Sequence, residues 1–142
     1  SLEHIYQQTE TLIEVNRVTN NNGYVLIRIP ILTPYVWDKY GINWVQLDAP
    51  RHFYLHTLKS FSILANQSGF KIEKYKFDSN EFLFWGSEQY NQEISLIDHR
   101  SYGLNKRNSI FAKTDIDQFK KEAKYLNDTQ QGDQAAFFLT KK

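Results

Sequence analysis

Between Asn20 and Pro30 the hydrophobic period of the chain changes, and that change limits the folds open to it. Leu2, Ile5, Leu12 and Ile13, with Val15 and Val18 beyond, recur near a 3.6-residue period, which predicts a helix over residues 2–19. Asn20, Asn21, Asn22 and Gly23 then stop it, because Asn and Gly tolerate the left-handed backbone at helix ends. Val25, Ile27 and Ile29 alternate with Tyr24, Leu26 and Arg28, which predicts a strand from Tyr24 to Ile29. Pro30 ends it, since proline has no N–H to give a sheet ladder.

The same alternation continues. Residues 31–56 show no period and are rich in Trp, Tyr and Pro, so they read as a long irregular segment of the kind that usually carries function. Thr57 is a good N-cap, Leu58, Phe61, Leu64 and Ala65 share a helical face, and Gly69 closes that helix. Phe70 to Phe77 alternates as a partly exposed strand. Residues 78–93 contain an unbroken apolar run, Phe82 to Trp85, and the expectation is a short helix over Trp85 to Gln92. Residues 94–113 read as loop. Thr114 with Asp117 forms a capping-box pattern, and Ile116, Phe119, Ala123 and Leu126 give an amphipathic helix after it. Asn127 to Gly132 is a turn and Gln134 to Thr140 a last strand. The order α-β-loop-α-β-α-α-β predicts an α/β sheet in a single domain, residues 1–142.

Seventeen basic against sixteen acidic residues leave a net charge of +1, so nothing in the balance asks for nucleic acid or a charged membrane surface. No apolar run approaches the roughly 20 residues a spanning helix needs. Cysteine is absent, which excludes disulfides, a thiolate nucleophile and Cys-type zinc sites, and fits a cytoplasmic location. Methionine is absent too, even at position 1, so Ser1 is not expected to be the natural translation start. Ten Phe, nine Tyr and three Trp supply a large apolar area for a core, a pocket or an interface.

Chemistry-bearing patterns are few. None of the six glycines stands in GxGxxG spacing after a strand. His52 and His56 have the i, i+4 spacing of zinc ligands. They precede the cap at Thr57 and have no evident third ligand, so no metal site is assigned. The bland reading of His4 and His99 is a solvated or capping histidine. The densest polar-aromatic cluster runs from Trp37 to His56 and holds Tyr40, Trp44, Asp48, Arg51, His52 and Tyr54. It reads either as a long loop packed down by its aromatics, with Arg51 on a nearby acid, or as a substrate lid in which Arg51 and His52 face a pocket.

Four stretches carry a family resemblance: Ser1-Leu2-Glu3-His4-Ile5; Val18 through the Asn-Asn-Asn-Gly turn to Pro30; Asp48-Ala49-Pro50-Arg51-His52-Phe53-Tyr54-Leu55-His56-Thr57, with an intact Pro-Arg-His core; and Ala65 to Gly69-Phe70. Together they resemble the C-terminal half of class I S-adenosylmethionine-dependent methyltransferases. The bacterial branch similar to ubiquinone-type O-methyltransferases and the methyltransferases of cell-surface glycan clusters is nearest. Asn residues stand where that family usually has a Lys-Pro-Gly turn. The family's N-terminal half, with its glycine-rich turn, is absent from these 142 residues.

The resemblance implies a partial Rossmann-like methyltransferase sheet, strands five to seven with flanking helices. It implies that Glu3 and His4 stand at the mouth of an S-adenosylmethionine site, with His52 as base and Arg51 holding a polar part of the acceptor. Trp37, Tyr40, Trp44, Tyr54 and His56 would form the acceptor lid, the acceptor being a small molecule or a glycan. With its fourth strand missing, the Tyr24–Ile29 strand would show an unpaired apolar edge, a route to a homo-oligomer. Most of the cofactor site would be missing, so these residues alone are expected to be inert. Two other readings compete: a non-enzymatic binding module using the aromatic loop 35–56, and a substrate-binding domain serving a separate cofactor-binding chain.

Overall fold

A computed structural model describes residues 2–142; Ser1, the first residue of the resembling segment, lies outside the described residues. The segment expected as one helix over 2–19 is two elements. Leu2–His4 is a 3-10 turn, and α1 spans Gln8–Val18. The break has a packing cause. Leu2 is buried in the core, and the Gln8 side chain, also buried, donates to the Leu2 carbonyl at 2.8 Å. A continuous helix would carry Leu2 away from that seat.

Strand β1, Tyr24–Pro30, extends one residue past the expected end, with Pro30 opposite Gln134. Proline is tolerated there because β1 is an edge strand. Helix α3, Leu58–Gln67, starts as expected on Thr57, whose Oγ1 accepts from Ser60 N while Ser60 Oγ accepts from Thr57 N. Gly69 follows with φ +80°, a left-handed position that suits glycine. Strand β2 is Phe70–Phe77 and the last strand, β3, is Gln134–Lys141.

The sheet order is β1-β3-β2, and both outer strands pair antiparallel to β3. The outer strands therefore point the same way. Their connection passes through α3, the crossover that a pair of like-directed strands requires. Glu73 sits in a register shift between Ile72 and Lys74. One sheet face packs on α1 and α3 through Leu12, Ile29, Phe61, Phe70, Phe137 and Leu139. On the opposite face of β1, Tyr24 and Leu26 are exposed.

Residues 31–56, expected to be irregular, are largely ordered. Pro34–Tyr40 forms α2, and two 3-10 turns follow at Gly41–Asn43 and Val45–Leu47. Pro34 is well placed in the first turn of a helix, where its missing N–H costs nothing. The helix is seven residues long, too short to show a period in the sequence. Helix α4 spans Phe82–Asn91, taking in the apolar run expected to precede it. Helix α5, Lys113–Asp128, is capped two residues earlier than expected: Ala112 takes the place of Thr114, and Asp115, not Asp117, reaches back to the Ala112 N–H at 2.7 Å. These helices form a second core with Val36, Tyr40, Trp44, Leu83, Phe84, Ala123 and Leu126. No helix among the described residues is long and apolar enough to cross a membrane.

Candidate functional site

The candidate residues gather beyond the C-terminal end of β1. Ile31 forms a parallel bridge with His56, and the Leu32 N–H donates to the His56 carbonyl at 2.8 Å. Upstream of His56, the Asp48–Tyr54 segment is set by α4. Gly86 lets the backbone come close, since a Cβ there would meet Val45 Cγ2 at 2.7 Å. Beside it Ser87 Oγ accepts the Val45 N–H at 3.0 Å. Asp48 then turns the chain with φ 42°, a left-handed conformation that Asp adopts more readily than most residues. The N–H groups of Arg51 and His52 fold back on the Asp48 carbonyl at 2.9 and 3.2 Å. The Phe53 N–H donates to the Glu3 carbonyl at 2.9 Å, which pins this turn to the Leu2–His4 turn.

The result is a cluster of Glu3, His4, Asp48, Arg51 and His52. His4 Nδ1 donates to the Arg51 carbonyl at 3.0 Å, and His52 Nδ1 donates to the Gln46 carbonyl at 2.8 Å. A carbonyl only accepts, so both rings carry a proton on Nδ1. In the neutral form the lone pair of each is on Nε2. The ring centroids are 4.7 Å apart with planes inclined by 59°. His4 Nε2 lies 3.6 Å from Glu3 Oε1, and His52 Nε2 lies 3.6 Å from Asp48 Oδ2. The His52 side chain is 6% exposed and that of His4 46%, so one ring is fixed inside and the other stands at the rim.

Arg51 projects outward, its side chain 69% exposed, and Nη2 holds Asp48 Oδ1 at 2.6 Å. The hydrogen bond to Asp48, and its charge, raise the guanidinium pKa above its ordinary value. Tyr90 of α4 belongs to the same neighbourhood: burial first, then the Asp48 carboxylate, raise its phenol pKa. Sequence reading missed Tyr90, because only the packing of α4 brings it there.

His56 faces the other way. Its Nε2 pairs with Gln8 Oε1 at 2.8 Å and its Nδ1 with Ser60 Oγ at 3.1 Å. Since Gln8 donates its amide to Leu2, its Oε1 accepts, and His56 is the neutral Nε2–H tautomer. Burial lowers its pKa. Both nitrogens are occupied, so His56 does not join His52 in the i, i+4 pair that their spacing suggests. Tyr54 stacks on His56, and with Tyr6 and Phe53 it forms an exposed aromatic patch. A cleft lined by Tyr6, Gln8, Tyr54, His56 and Leu64 opens beside it.

The expected lid is divided. Trp37 is 47% exposed. Trp44 is fully buried in the second core and gives its indole N–H to the buried Asp133 carboxylate at 3.1 Å. Tyr40 is buried beside it, with its hydroxyl on Glu88 at 2.9 Å. Burial, and then the Glu88 charge, push the Tyr40 phenol far above its ordinary pKa. Tyr40 and Trp44 are core residues here rather than lid residues. An aromatic-rich segment supplies both, and only contacts with α4 and with Asp133, just before β3, tell them apart.

No protein-family model matches the chain, and no curated protein matches it.

Proposed function

We propose that this chain is the C-terminal part of a class I S-adenosylmethionine-dependent methyltransferase acting on a small-molecule or glycan acceptor. The observation that carries the reading is the folding of the Pro-Arg-His stretch onto the Glu3–His4 turn at the C-terminal end of β1. In α/β sheets, ligands bind in the crevice beyond the carboxyl ends of the like-directed strands. β1 and β2 are two such strands joined by a crossover helix. If they stand as strands five and six of the methyltransferase sheet, β3 is the seventh and runs between them against both.

What these residues offer the cofactor is a rim. The Glu3 carboxylate accepts hydrogen bonds, and His4 is half exposed beside it. S-adenosylmethionine, when bound, supplies an electrophilic methyl group on a good leaving group. The chain's contribution is then mostly alignment, worth up to about 7–11 kcal/mol in well-oriented systems. His52 is the base: Gln46 fixes its Nδ1–H, leaving Nε2 to take a proton from a hydroxyl acceptor, typically worth about 10²–10⁴-fold. Arg51, at the surface, orients an anionic or polar part of the acceptor. Trp37 and Tyr54 are the exposed aromatics left to cover it.

Calorimetric titration of S-adenosylhomocysteine tests the proposal. Saturable heat that disappears in His4→Ala supports it. No heat in the 142-residue chain would leave the resemblance as ancestry. The exposed Tyr6–Phe53–Tyr54 patch favours a second reading, a non-enzymatic binding module, which predicts partner or sugar binding without any response to S-adenosylhomocysteine.

A further inference from the structure

We infer that Glu3, His4 and His52 form a binding site for one divalent transition-metal ion, with Zn²⁺ the best fit. One donor atom from each residue lies within 4.8 Å of the other two. The edge between two ligands of a tetrahedral zinc ion is about 3.4 Å, given metal–ligand bonds near 2.1 Å. His4 Nε2 and Glu3 Oε1, at 3.6 Å, already stand near that spacing. The widest spacing, up to 4.8 Å, exceeds that edge by about 1.4 Å, and the half-exposed His4 ring has room to turn toward His52.

The donors are also prepared for a metal. Each imidazole has its Nδ1–H tied to a backbone carbonyl, Arg51 for His4 and Gln46 for His52. Metal-ligating histidines nearly always hold their second nitrogen this way, because it fixes ring orientation and the tautomer that leaves Nε2 free to bind. The two histidines come from separate turns, yet the Phe53-to-Glu3 backbone bond locks those turns together. Asp48 Oδ2, 3.6 Å from His52 Nε2, adds a second carboxylate at the edge of the cluster. Two imidazoles and a carboxylate suit zinc and its neighbours rather than magnesium or calcium, which take oxygen ligands. Three protein ligands leave a coordination position for water or a ligand oxygen, the pattern of a catalytic rather than a structural site.

The site goes beyond the methyltransferase reading and does not depend on it. A bound ion would occupy the His52 lone pair which that reading assigns to proton removal.

The test is calorimetric titration of Zn²⁺ into the chelator-treated chain, with Co²⁺ absorption in the visible as a second readout. The expected result is one ion per chain. His4→Ala and His52→Gln should each weaken binding about tenfold or more, while His56→Gln and His99→Ala leave it unchanged. His4→Ala is the decisive variant, since a rim side chain can be removed without emptying the core. Absence of saturable Zn²⁺ binding overturns the proposal, as does unchanged affinity in His4→Ala or loss of binding in His99→Ala. Zn²⁺ binding without S-adenosylhomocysteine binding keeps the metal site and leaves the methyltransferase resemblance as ancestry; S-adenosylhomocysteine binding without Zn²⁺ binding overturns the metal site and leaves that reading standing.

Discussion

His4 donates through Nδ1 to the backbone carbonyl of Arg51, 3.0 Å away, and so joins the first turn of the chain to the Pro-Arg-His stretch. The bond is exposed, and a neutral hydrogen bond of this kind contributes about 1 kcal/mol. His4→Ala should therefore lower global stability by no more than about that amount. Amide exchange at Arg51 to Phe53 should rise more than elsewhere. Uniform exchange across the chain would mean that the bond does not hold the segment.

Trp44 and Asp133 form a buried pair whose two ends behave differently. Trp44→Phe keeps most of the ring but leaves a buried carboxylate short of a donor, which costs about 1–3 kcal/mol. Asp133→Asn keeps an acceptor for the indole and removes a charge whose burial raises its pKa. The folded state holds that proton more tightly than the unfolded one, so the native protein loses stability as pH rises above the ordinary carboxylate value of about 3.9. Asp133→Asn should cost less than Trp44→Phe at neutral pH and should lack that acid-side slope. Urea midpoints across pH decide it.

His56 titrates with the opposite sense. Burial favours its neutral form, so the folded state binds fewer protons than the unfolded state below the ordinary histidine value. Its contribution is complete above about pH 6.5 and is lost as the pH falls through the lowered folded pKa. His56→Gln should flatten stability against pH in this window. An unchanged slope would show that the ring is not the titrating group.

Gly86 is required by a close approach. A Cβ at this position would meet Val45 at 2.7 Å, in a core already filled by Phe84 and Trp44. Gly86→Ala should destabilise by about 1–3 kcal/mol, as overpacking usually does. Because Val45 leads into Gln46 and Asp48, the variant should also disturb ligand binding at His52. Wild-type denaturation midpoints would refute this.

The outer edge of β1 has no pairing strand among the described residues, and Tyr24 and Leu26 beside it are exposed. Such an edge recruits another strand. The 142-residue chain should self-associate at high concentration, and Leu26→Lys should reduce that. A species that stays monomeric in light scattering at all concentrations would count against it.

Much of this fold was legible locally. The Asn-Asn-Asn-Gly stop, the Thr57 cap, the alternation of β1 and β2 and the stripe of α5 all express steric and hydrogen-bonding preferences within a few residues. Short elements were not. α2 spans too few residues to show a period, and the break after His4 depends on where Leu2 is buried. The candidate site was legible in its members but not in its grouping. Glu3, His4, Arg51 and His52 could be named from the resemblance, yet nothing in their positions said that His4 and His52 would lie ring to ring while His56 turned to Gln8.

The sequence by itself determined the alternation of helices and strands, because period and capping are local properties of side-chain shape and backbone sterics. It also determined which polar and aromatic residues were present to build a site. Only the tertiary structure decided that β3 runs between β1 and β2, that Trp44 and Tyr40 fill a core, and that two histidines 48 positions apart meet. Those outcomes depend on which apolar faces bury one another, and burial is settled by the whole chain at once.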